Sequence, residues 1–267
     1  MSLELRDLAR GIATEAGELA RRRRAEGVRI AASKSTLADI VTEADREVEA
    51  LIRDRLVKQR PHDGFLGEES EPTAGESGIT WIVDPIDGTV NYASGMPTYA
   101  VSIAAVRGGD SFETWEALAG VVHLPALGET FEAARGEGSR VASASGTASL
   151  RVTSDFPAGA LIATGFGYDA ATHAGDILTL QAVMPLARDV RSIGAAAVDL
   201  SYVAAGRLDG FFERGLKPWD IAAGALIVEE AGGSVVELPE DPFGRRMTIA
   251  GDADLVARVT DRVRSAT

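Results

Sequence analysis

The sequence predicts an α+β fold in which two β-sheets are layered with helices. Residues 80–142 contain short stretches rich in β-branched and aromatic residues, separated by Gly, Pro and Asp turns, which is typical of a largely antiparallel sheet. Beyond about residue 150, strand-like and helix-like stretches alternate. Such alternation indicates crossover connections and therefore a second, mixed or parallel sheet of α/β character.

Two helices are predicted ahead of the first sheet. Residues 3–24 place Leu5, Leu8 and Ile12 at helical spacing, which predicts a long amphipathic helix. A second helix is predicted from about residue 43 to 59, with Thr42 as its N-cap, because Thr42 and Asp45 fit the capping-box pattern.

The remaining elements follow in two groups. The first sheet is predicted to contain the stretches ITWIVD, TYAVSIAAV, WEALAGVVHL and ETFEAAR. The second group is predicted to contain the strands ALIATGF, DVRSI, DGFFE, SVVEL and MTIAG and helices near 174–187, 195–205, 219–231 and 252–264. The small, polar stretch at 136–149 predicts a boundary between an N-terminal half, residues 1–142, and a C-terminal half, residues 143–267.

Composition excludes several kinds of function. The 267 residues include 40 acidic and 27 basic side chains, a net charge of −13, which argues against a nucleic-acid partner. The chain has no cysteine, so disulfides, thiolate metal sites and cysteine nucleophiles are excluded. No apolar run of signal-peptide or membrane-spanning length occurs, so we expect a cytoplasmic protein with no membrane partner. His62, His123 and His173 lack metal-ligand spacing and are expected at the surface.

The strongest local signal is the DPIDGT motif at residues 84–89, directly after a predicted strand. Asp84 and Asp87 are three residues apart with a proline fixing the turn, so their carboxylates can converge on one point. Oxygen ligands of this kind suit a hard divalent cation such as Mg²⁺. A polar turn that caps the following segment would use the same residue types.

Two further acidic positions change the balance between these interpretations. Glu68 lies in the Gly-Glu-Glu loop ahead of the motif, and Asp220 opens a predicted helix. Taken singly, each is ordinary, since Glu68 fits a solvated loop and Asp220 fits the favourable N-terminus of a helix dipole. Together with the motif they supply four carboxylates, enough to hold two divalent ions for an in-line phosphoryl displacement.

The paired motifs carry a resemblance to a known family. Residues 81–92 match the signature W-x-[VIL]-D-P-[IL]-D-G-T-x-N-[FY], and residues 219–233 match W-D-x-A-[AG]-x-x-L-[IV]-x-E-A-G-G except for where Leu226-Ile227 fall. Lys34, residues 39–42 with Asp45, and residues 191–196 agree as well. The sequence resembles the inositol monophosphatase family, within the lithium-sensitive, metal-dependent phosphatase superfamily, from about residue 34 to 233.

The resemblance implies a layered αβαβα sandwich of the inositol monophosphatase and fructose-1,6-bisphosphatase type. It implies two or three Mg²⁺ ions per site, held by Glu68, Asp84, the Ile86 carbonyl, Asp87 and Asp220. It gives Glu68 and Thr89 catalytic roles in orienting and deprotonating water. It implies substrate contacts from Gly88, Thr89, Gly194, Ala195, Ala196 and Glu213. Asp45 and Lys34 would serve a third metal, although Asp45 also fits a helix cap.

The implied activity is hydrolysis of inositol monophosphate, a small phosphate monoester, by a lithium-sensitive homodimer. Histidinol phosphate or another small sugar or nucleotide phosphate is an alternative substrate within the superfamily. A non-catalytic regulatory binding protein is the alternative from another class. Haloacid-dehalogenase-type phosphatases use Asp-x-Asp rather than Asp-x-x-Asp, and no P-loop motif is present, so these two classes are rejected.

Overall fold

The computed structural model describes residues 1–28, 30–33, 40–109, 112 and 114–266, and Lys34 and Asp39 lie outside this part. Its helices are α1 (Ser2–Glu26), α2 (Glu43–Gln59), α3 (Thr89–Ser94), α4 (His173–Val183), α5 (Ala196–Ala204), α6 (Pro218–Glu230) and α7 (Ala253–Ala266). Its first strands are β1 (Ile30–Ser33), β2 (Ile40–Thr42), β3 (Gly64–Gly67), β4 (Ile79–Asp87), β5 (Ala100–Gly108), β6 (Trp115–Leu124) and β7 (Glu129–Ala134). The others are β8 (Ser139–Ser143), β9 (Gly146–Ser149), β10 (Ala160–Thr164), β11 (Ala187–Arg191), β12 (Gly210–Arg214), β13 (Ser234–Leu238) and β14 (Met247–Gly251).

The first large sheet has seven strands in the sequential order β3 to β9. All neighbours pair antiparallel except β3 and β4, which run parallel, so the prediction of a largely antiparallel sheet is confirmed. The predicted division at 142/143 falls inside β8, and β9 still belongs to this sheet. The passage to the second sheet comes between Ser149 and Ala160.

The second large sheet has the order β11-β10-β12-β14-β13. Strand β10 pairs parallel with both β11 and β12, and β14 pairs antiparallel with β12 and β13. The predicted mixed sheet is therefore confirmed. Strands β1 and β2 form a separate antiparallel pair next to α2.

Three hydrophobic clusters show how the layers stack. Helices α1 and α2 cover one face of the first sheet, where Val83 is buried, and α5 and α6 cover the other, where its neighbour Ile82 is buried. Helices α5 and α6 also pack on the second sheet, through Phe211, whereas α7 packs on its far face, through Phe212. Successive strand residues thus serve different layers, as the two-residue repeat of a strand requires. The predicted αβαβα sandwich is confirmed.

Close packing holds α6 against the first sheet. A Cβ atom at Gly120 on β6 would lie 2.8 Å from the carbonyl oxygen of Ala223, so the helix backbone rests directly on the strand. Glycine permits this approach because it has no side chain. The contact fixes the helix whose first turn carries Asp220.

His123 corrects an expectation from the sequence. It is 8% exposed on β6, against the bare α-carbon of Gly17 on α1, and its Nδ1 lies 2.9 Å from the Thr130 hydroxyl. The prediction that it lies at the surface was wrong, because the pairing of β6 between β5 and β7 under α1 buries both faces. None of the helices in the described part of the chain combines the length and apolar character of a membrane span.

Candidate metal centre

The end of β4 supplies two carboxylates. Asp84 and Asp87 are 2% and 6% exposed. Pairing with β5 is irregular between them, because Asp84 is opposite Ser102 whereas Asp87 is opposite Ala100. Residues three apart on a regular strand point to opposite faces, so this irregularity allows both carboxylates to converge. The Asp84 carboxylate also accepts a hydrogen bond of 3.0 Å from the Ile86 N–H.

The first turn of α6 supplies the third carboxylate. Asp220 accepts a hydrogen bond of 2.6 Å from the N–H of Lys217, directly ahead of the helix, and Pro218 occupies the first helical position. A proline there suits a helix start because its missing N–H would be unpaired in any case. Carboxylate oxygens of Asp84, Asp87 and Asp220 lie within 4.8 Å of one another. The structure thus brings these three predicted ligands together from distant parts of the sequence.

The N-terminus of α5 fixes the Asp87 carboxylate. Its oxygens accept hydrogen bonds from the N–H groups of Ala196 at 3.1 Å, Ala197 at 2.9 Å and Val198 at 3.4 Å. The first N–H groups of a helix have no partner within it, and its positive dipole end favours a negative charge. The N–H of Ala196, a residue predicted to line the polyol side of the site, is therefore engaged by Asp87.

The turn after β4 packs against the residues that precede α5. Gly88 has a φ of +84°, and a Cβ atom there would lie 3.0 Å from the Ala195 Cβ and 3.3 Å from the Gly194 carbonyl oxygen. The Asn91 amide adds a hydrogen bond of 2.8 Å to the Ile193 carbonyl. Glycine is required here both by the backbone angle and by the close approach. Three predicted substrate contacts, Gly88, Gly194 and Ala195, consequently lie together.

Glu68 lies beside the carboxylate cluster rather than inside it. It follows β3, and its N–H donates to the Val83 carbonyl at 3.2 Å. Its carboxylate is not part of the group whose oxygens lie within 4.8 Å of one another. Its negative charge nevertheless raises the pKa values of Asp84, Asp87 and Asp220, so it is an electrostatic neighbour of all three.

Glu49 is a site residue that the sequence reasoning missed. It is 2% exposed on α2, and its carboxylate accepts a hydrogen bond of 2.8 Å from the N–H of Glu69. A Cβ atom at Gly67 would overlap this carboxylate, so the loop that carries Glu68 lies directly on it. The signal in the sequence was an acidic residue next to Val48, on the apolar face of a predicted helix.

Burial gives the cluster a high affinity for protons. Desolvation raises the pKa of Asp87 to about 7 and that of Asp220 to about 8. It also raises the pKa of Asp84 well above its usual value, with the charge of Glu68 as the next cause. Burial and neighbouring negative charge both disfavour the ionised form. A set of carboxylate oxygens in this condition fits a hard divalent cation, which offsets their charge.

Thr89 connects the turn to α2. Its hydroxyl lies 3.2 Å from Oδ1 of Asp45 and 3.2 Å from the Ile86 carbonyl oxygen. Asp45 accepts hydrogen bonds from the N–H of Thr42, at 2.8 Å, and from its hydroxyl, which confirms the capping box. Burial raises the pKa of Asp45. Asp45 therefore caps a helix and contacts a site residue at once, whereas Lys34 lies outside the described residues.

Glu213, on β12, borders the cluster from the second sheet. Desolvation raises its pKa to about 8, and the charges of Asp220 and Asp87 contribute further. Asp199, on α5, is an electrostatic neighbour of Glu213, and its two carboxyl oxygens are buried without a hydrogen-bond partner in the described part of the chain. Burial, followed by the charge of Glu213, raises the pKa of Asp199 well above its usual value. Nothing in the sequence pattern distinguished Asp199.

Comparison with known proteins identifies the family. The family model described as the inositol monophosphatase family matches residues 2–261. The chain belongs to the inositol monophosphatase family. It is 44% identical over 247 residues to the inositol-1-monophosphatase SuhB of Mycobacterium tuberculosis, a match that covers 87% of this chain and 83% of that protein. It is 39% identical over 209 residues to the Nus factor SuhB of Salmonella typhimurium, covering 77% of this chain and 74% of that protein.

Solved structures of inositol monophosphatase relatives share the fold. The extragenic suppressor protein SuhB of Bartonella henselae superposes with a TM-score of 0.87 at 36% identity, covering 99% of this chain and all of that one. Family membership makes this protein a phosphatase of the inositol monophosphatase type. The family is metal-dependent, and the triad of Asp84, Asp87 and Asp220 offers a place for a metal ion.

Proposed function

We propose that this protein hydrolyses inositol monophosphate to inositol and phosphate in a Mg²⁺-dependent reaction. The observation that carries the proposal is the convergence of Asp84, Asp87 and Asp220, whose oxygens lie within 4.8 Å of one another. Carboxylate oxygens are the ligands that Mg²⁺ prefers. Ile86, through its carbonyl, and Glu68 are proposed to complete the set for two or three ions. A bound divalent cation supplies positive charge that acidifies water and balances the charge of a phosphate.

Thr89 and Asp45 are proposed to handle the proton of the attacking water. The Thr89 hydroxyl is proposed to accept that proton while its own passes to Oδ1 of Asp45, and the 3.2 Å between them supports this step. Burial raises the pKa of Asp45, which makes it a better proton acceptor than an exposed aspartate. Glu68, in the loop that follows β3, is proposed to orient the same water.

The remaining predicted contacts divide between phosphate and polyol. Gly88 and Thr89 are proposed to donate their N–H groups to the phosphate, because they are the N-cap and the first residue of α3, directly after Asp87. Gly194, Ala195 and Glu213 are proposed to face the polyol. Ala196 is proposed to line the same side, although its N–H is held by Asp87 at 3.1 Å.

A panel of kcat/KM measurements tests the substrate. Wild-type protein with Mg²⁺ is assayed on inositol 1-phosphate, histidinol phosphate, fructose 1,6-bisphosphate and adenosine 3′,5′-bisphosphate. We expect the highest value for inositol 1-phosphate, and a higher value for another compound reassigns the substrate. Lithium is expected to lower the rate, and a titration without effect contradicts that part of the proposal.

Asp220→Asn tests the metal assignment, and Asp254→Asn is its matched control. Both residues lie in the first turn of a helix, but Asp254 is exposed on α7 and pairs with Arg258. We expect Asp220→Asn to abolish turnover and to weaken Mg²⁺ binding measured by calorimetry, whereas Asp254→Asn leaves both unchanged. Full Mg²⁺-dependent activity in Asp220→Asn would falsify the ligand assignment.

A regulatory binding function is the second candidate. It is favoured by the similarity to the protein of Salmonella typhimurium that is named a Nus factor. The acidic balance of −13 speaks against direct RNA binding, so a protein partner is the form this candidate takes. Absence of turnover across the whole panel by folded, Mg²⁺-loaded protein would support it over catalysis.

We propose that two copies of this chain form a homodimer. Ile177, Leu178 and Met184, on and just after α4, are about half exposed and give the solvent-facing side of this helix an apolar surface. Burial of such a surface would favour self-association. Size-exclusion chromatography with light scattering is expected to give the mass of two chains. A mass of one chain refutes the proposal.

A further inference from the structure

A short segment after β10 lies directly against Glu213. A Cβ atom at Gly165 would overlap the carboxyl carbon and both carboxylate oxygens of Glu213. The backbone angle does not call for glycine at this position, because the φ of Gly165 is not positive. What calls for glycine is the Glu213 carboxylate itself, which occupies the space that a side chain would fill.

Two hydrogen bonds of Gly167 anchor this segment, residues 165–167, to α4. The N–H of Gly167 donates to Oδ2 of Asp176 at 3.3 Å, and its carbonyl oxygen lies 2.8 Å from Nε2 of His173. Both partners belong to the first turns of α4. The segment is therefore held between a helix and the carboxylate of Glu213.

Arg245 completes the anchor from the loop between β13 and β14. Its guanidinium binds both oxygens of Asp176, at 2.8 and 3.1 Å, and Oδ2 of Asp241 at 3.0 Å. A Cβ atom at Gly167 would lie 2.8 Å from its Nη1, and one at Gly215 would lie 3.1 Å from its Cδ. Arg245 thus lies against the 165–167 segment at Gly167 and against Gly215, two residues after Glu213, although its acidic partners lie outside the carboxylate cluster. Paired, bidentate arginine contacts of this kind hold geometry more firmly than a single hydrogen bond.

We propose that the 165–167 segment, fixed by Arg245 and Asp176, positions the Glu213 carboxylate and so determines recognition of the polyol end of the substrate. This inference rests on the proposed function, since it names positioning residues for the same site. Gly165 acts by leaving room for the carboxylate, and Arg245 acts by holding the segment in place. Neither residue is proposed to contact the phosphate or a metal.

Gly165→Ala is the direct test, with Gly175→Ala on α4 as the matched control, because a Cβ atom at Gly175 meets nothing within 4 Å. Activity is measured on inositol 1-phosphate and on p-nitrophenyl phosphate, which has no polyol. We expect Gly165→Ala to raise KM for inositol 1-phosphate about tenfold, the scale of one lost hydrogen bond, with p-nitrophenyl phosphate changed less than about twofold. Equal losses on both substrates would overturn the proposal.

Arg245→Met is expected to raise KM in the same selective way, and Arg245→Lys is expected to recover part of the loss. Arg246→Lys is the control, because the adjacent Arg246 instead has Glu237 and Glu240 at 3.8–3.9 Å. A selective effect from Arg246→Lys as large as that from Arg245→Met would count against the assignment.

A double-mutant cycle separates this inference from the proposed function. Gly165→Ala should lower the urea midpoint of unfolding in the wild type but leave it unchanged in a Glu213→Ala background, where the obstructing carboxylate is gone. This coupling needs no substrate, so it stands even if the panel assigns another phosphate ester or none. An equal shift in both backgrounds would show that Gly165 does not act through Glu213.

Discussion

Replacing Asp87 with asparagine is expected to stabilise the metal-free protein at pH 8 and to abolish its activity. The carboxylate is 6% exposed and its pKa is raised from 3.8 to about 7, mainly by burial. The metal-free native state therefore holds a proton that the unfolded chain releases between about pH 4 and pH 7. Where the folded pKa exceeds the unfolded one, the native state loses stability as the pH rises through this window. Asp87→Asn removes that loss, because an amide does not titrate.

The size of the gain follows from the pKa. Raising it from 3.8 to about 7 costs the native state about 4 kcal/mol at pH 8, at about 1.4 kcal/mol per tenfold change in proton affinity. At pH 5 the same reasoning gives only about 1.5 kcal/mol, since the native carboxyl is still protonated there.

The substitution also has a cost. The two oxygens of Asp87 accept hydrogen bonds from three N–H groups of α5, and an amide offers a single oxygen. Losing one such bond costs about 2 kcal/mol at pH 8, where the carboxylate is charged, and about 1 kcal/mol at pH 5, where the carboxyl is protonated. The gain exceeds the cost at pH 8 by about 2 kcal/mol, and the two nearly cancel at pH 5.

Thermal unfolding in EDTA tests this balance. Asp87→Asn is expected to melt about 5 °C above the wild type at pH 8 and within about 2 °C of it at pH 5. Added Mg²⁺ should stabilise the wild type more than the variant, which should have no phosphatase turnover. Asp254→Asn is the control and should match the wild type under each condition. A variant less stable than the wild type by the same margin at both pH values would refute the assignment of a raised pKa.

Three further predictions concern neighbouring residues. Glu213→Ala should raise KM for inositol 1-phosphate at least about tenfold relative to p-nitrophenyl phosphate, because only the former presents hydroxyls to it, and equal effects would exclude the role. Glu49→Ala should weaken Mg²⁺ binding measured by calorimetry several-fold, with Glu49→Gln milder because it can still accept from the Glu69 N–H; unchanged binding in both would remove Glu49 from the site. Gly120→Ala should lower the free energy of unfolding by about 1–3 kcal/mol, because its Cβ would lie 2.8 Å from the Ala223 carbonyl oxygen. Gly11→Ala is the control and should not lower it, because a Cβ there meets nothing within 4 Å and neither glycine has a positive φ.

The sequence predictions that proved correct depended on patterns of neighbouring residues. The capping box of Thr42 and Asp45 places the start of α2, because capping is decided within four residues. The stretch ITWIVD was predicted as a strand from its β-branched and aromatic residues, and it lies within β4, where Ile82 and Val83 enter different cores through the two-residue repeat.

Predictions that depended on long-range packing fared less well. His123 was expected at the surface, but strand pairing and α1 bury it. The polar stretch at 136–149 suggested a boundary between halves, although its strands extend the first sheet, because the composition of an edge hairpin resembles that of a linker.

The sequence by itself determined the family and the layered fold, and it predicted that Asp84, Asp87 and Asp220 converge, because these features are encoded in short motifs with fixed spacing. Only the tertiary structure decided how the site is held together. It places the Asp87 carboxylate on the N-terminus of α5, Glu49 beneath the Glu68 loop and Glu213 against the bare α-carbon of Gly165. Each of these contacts joins segments far apart in the chain, and their distance depends on how whole layers pack. No local pattern records that packing, which is why the supporting residues became visible only in three dimensions.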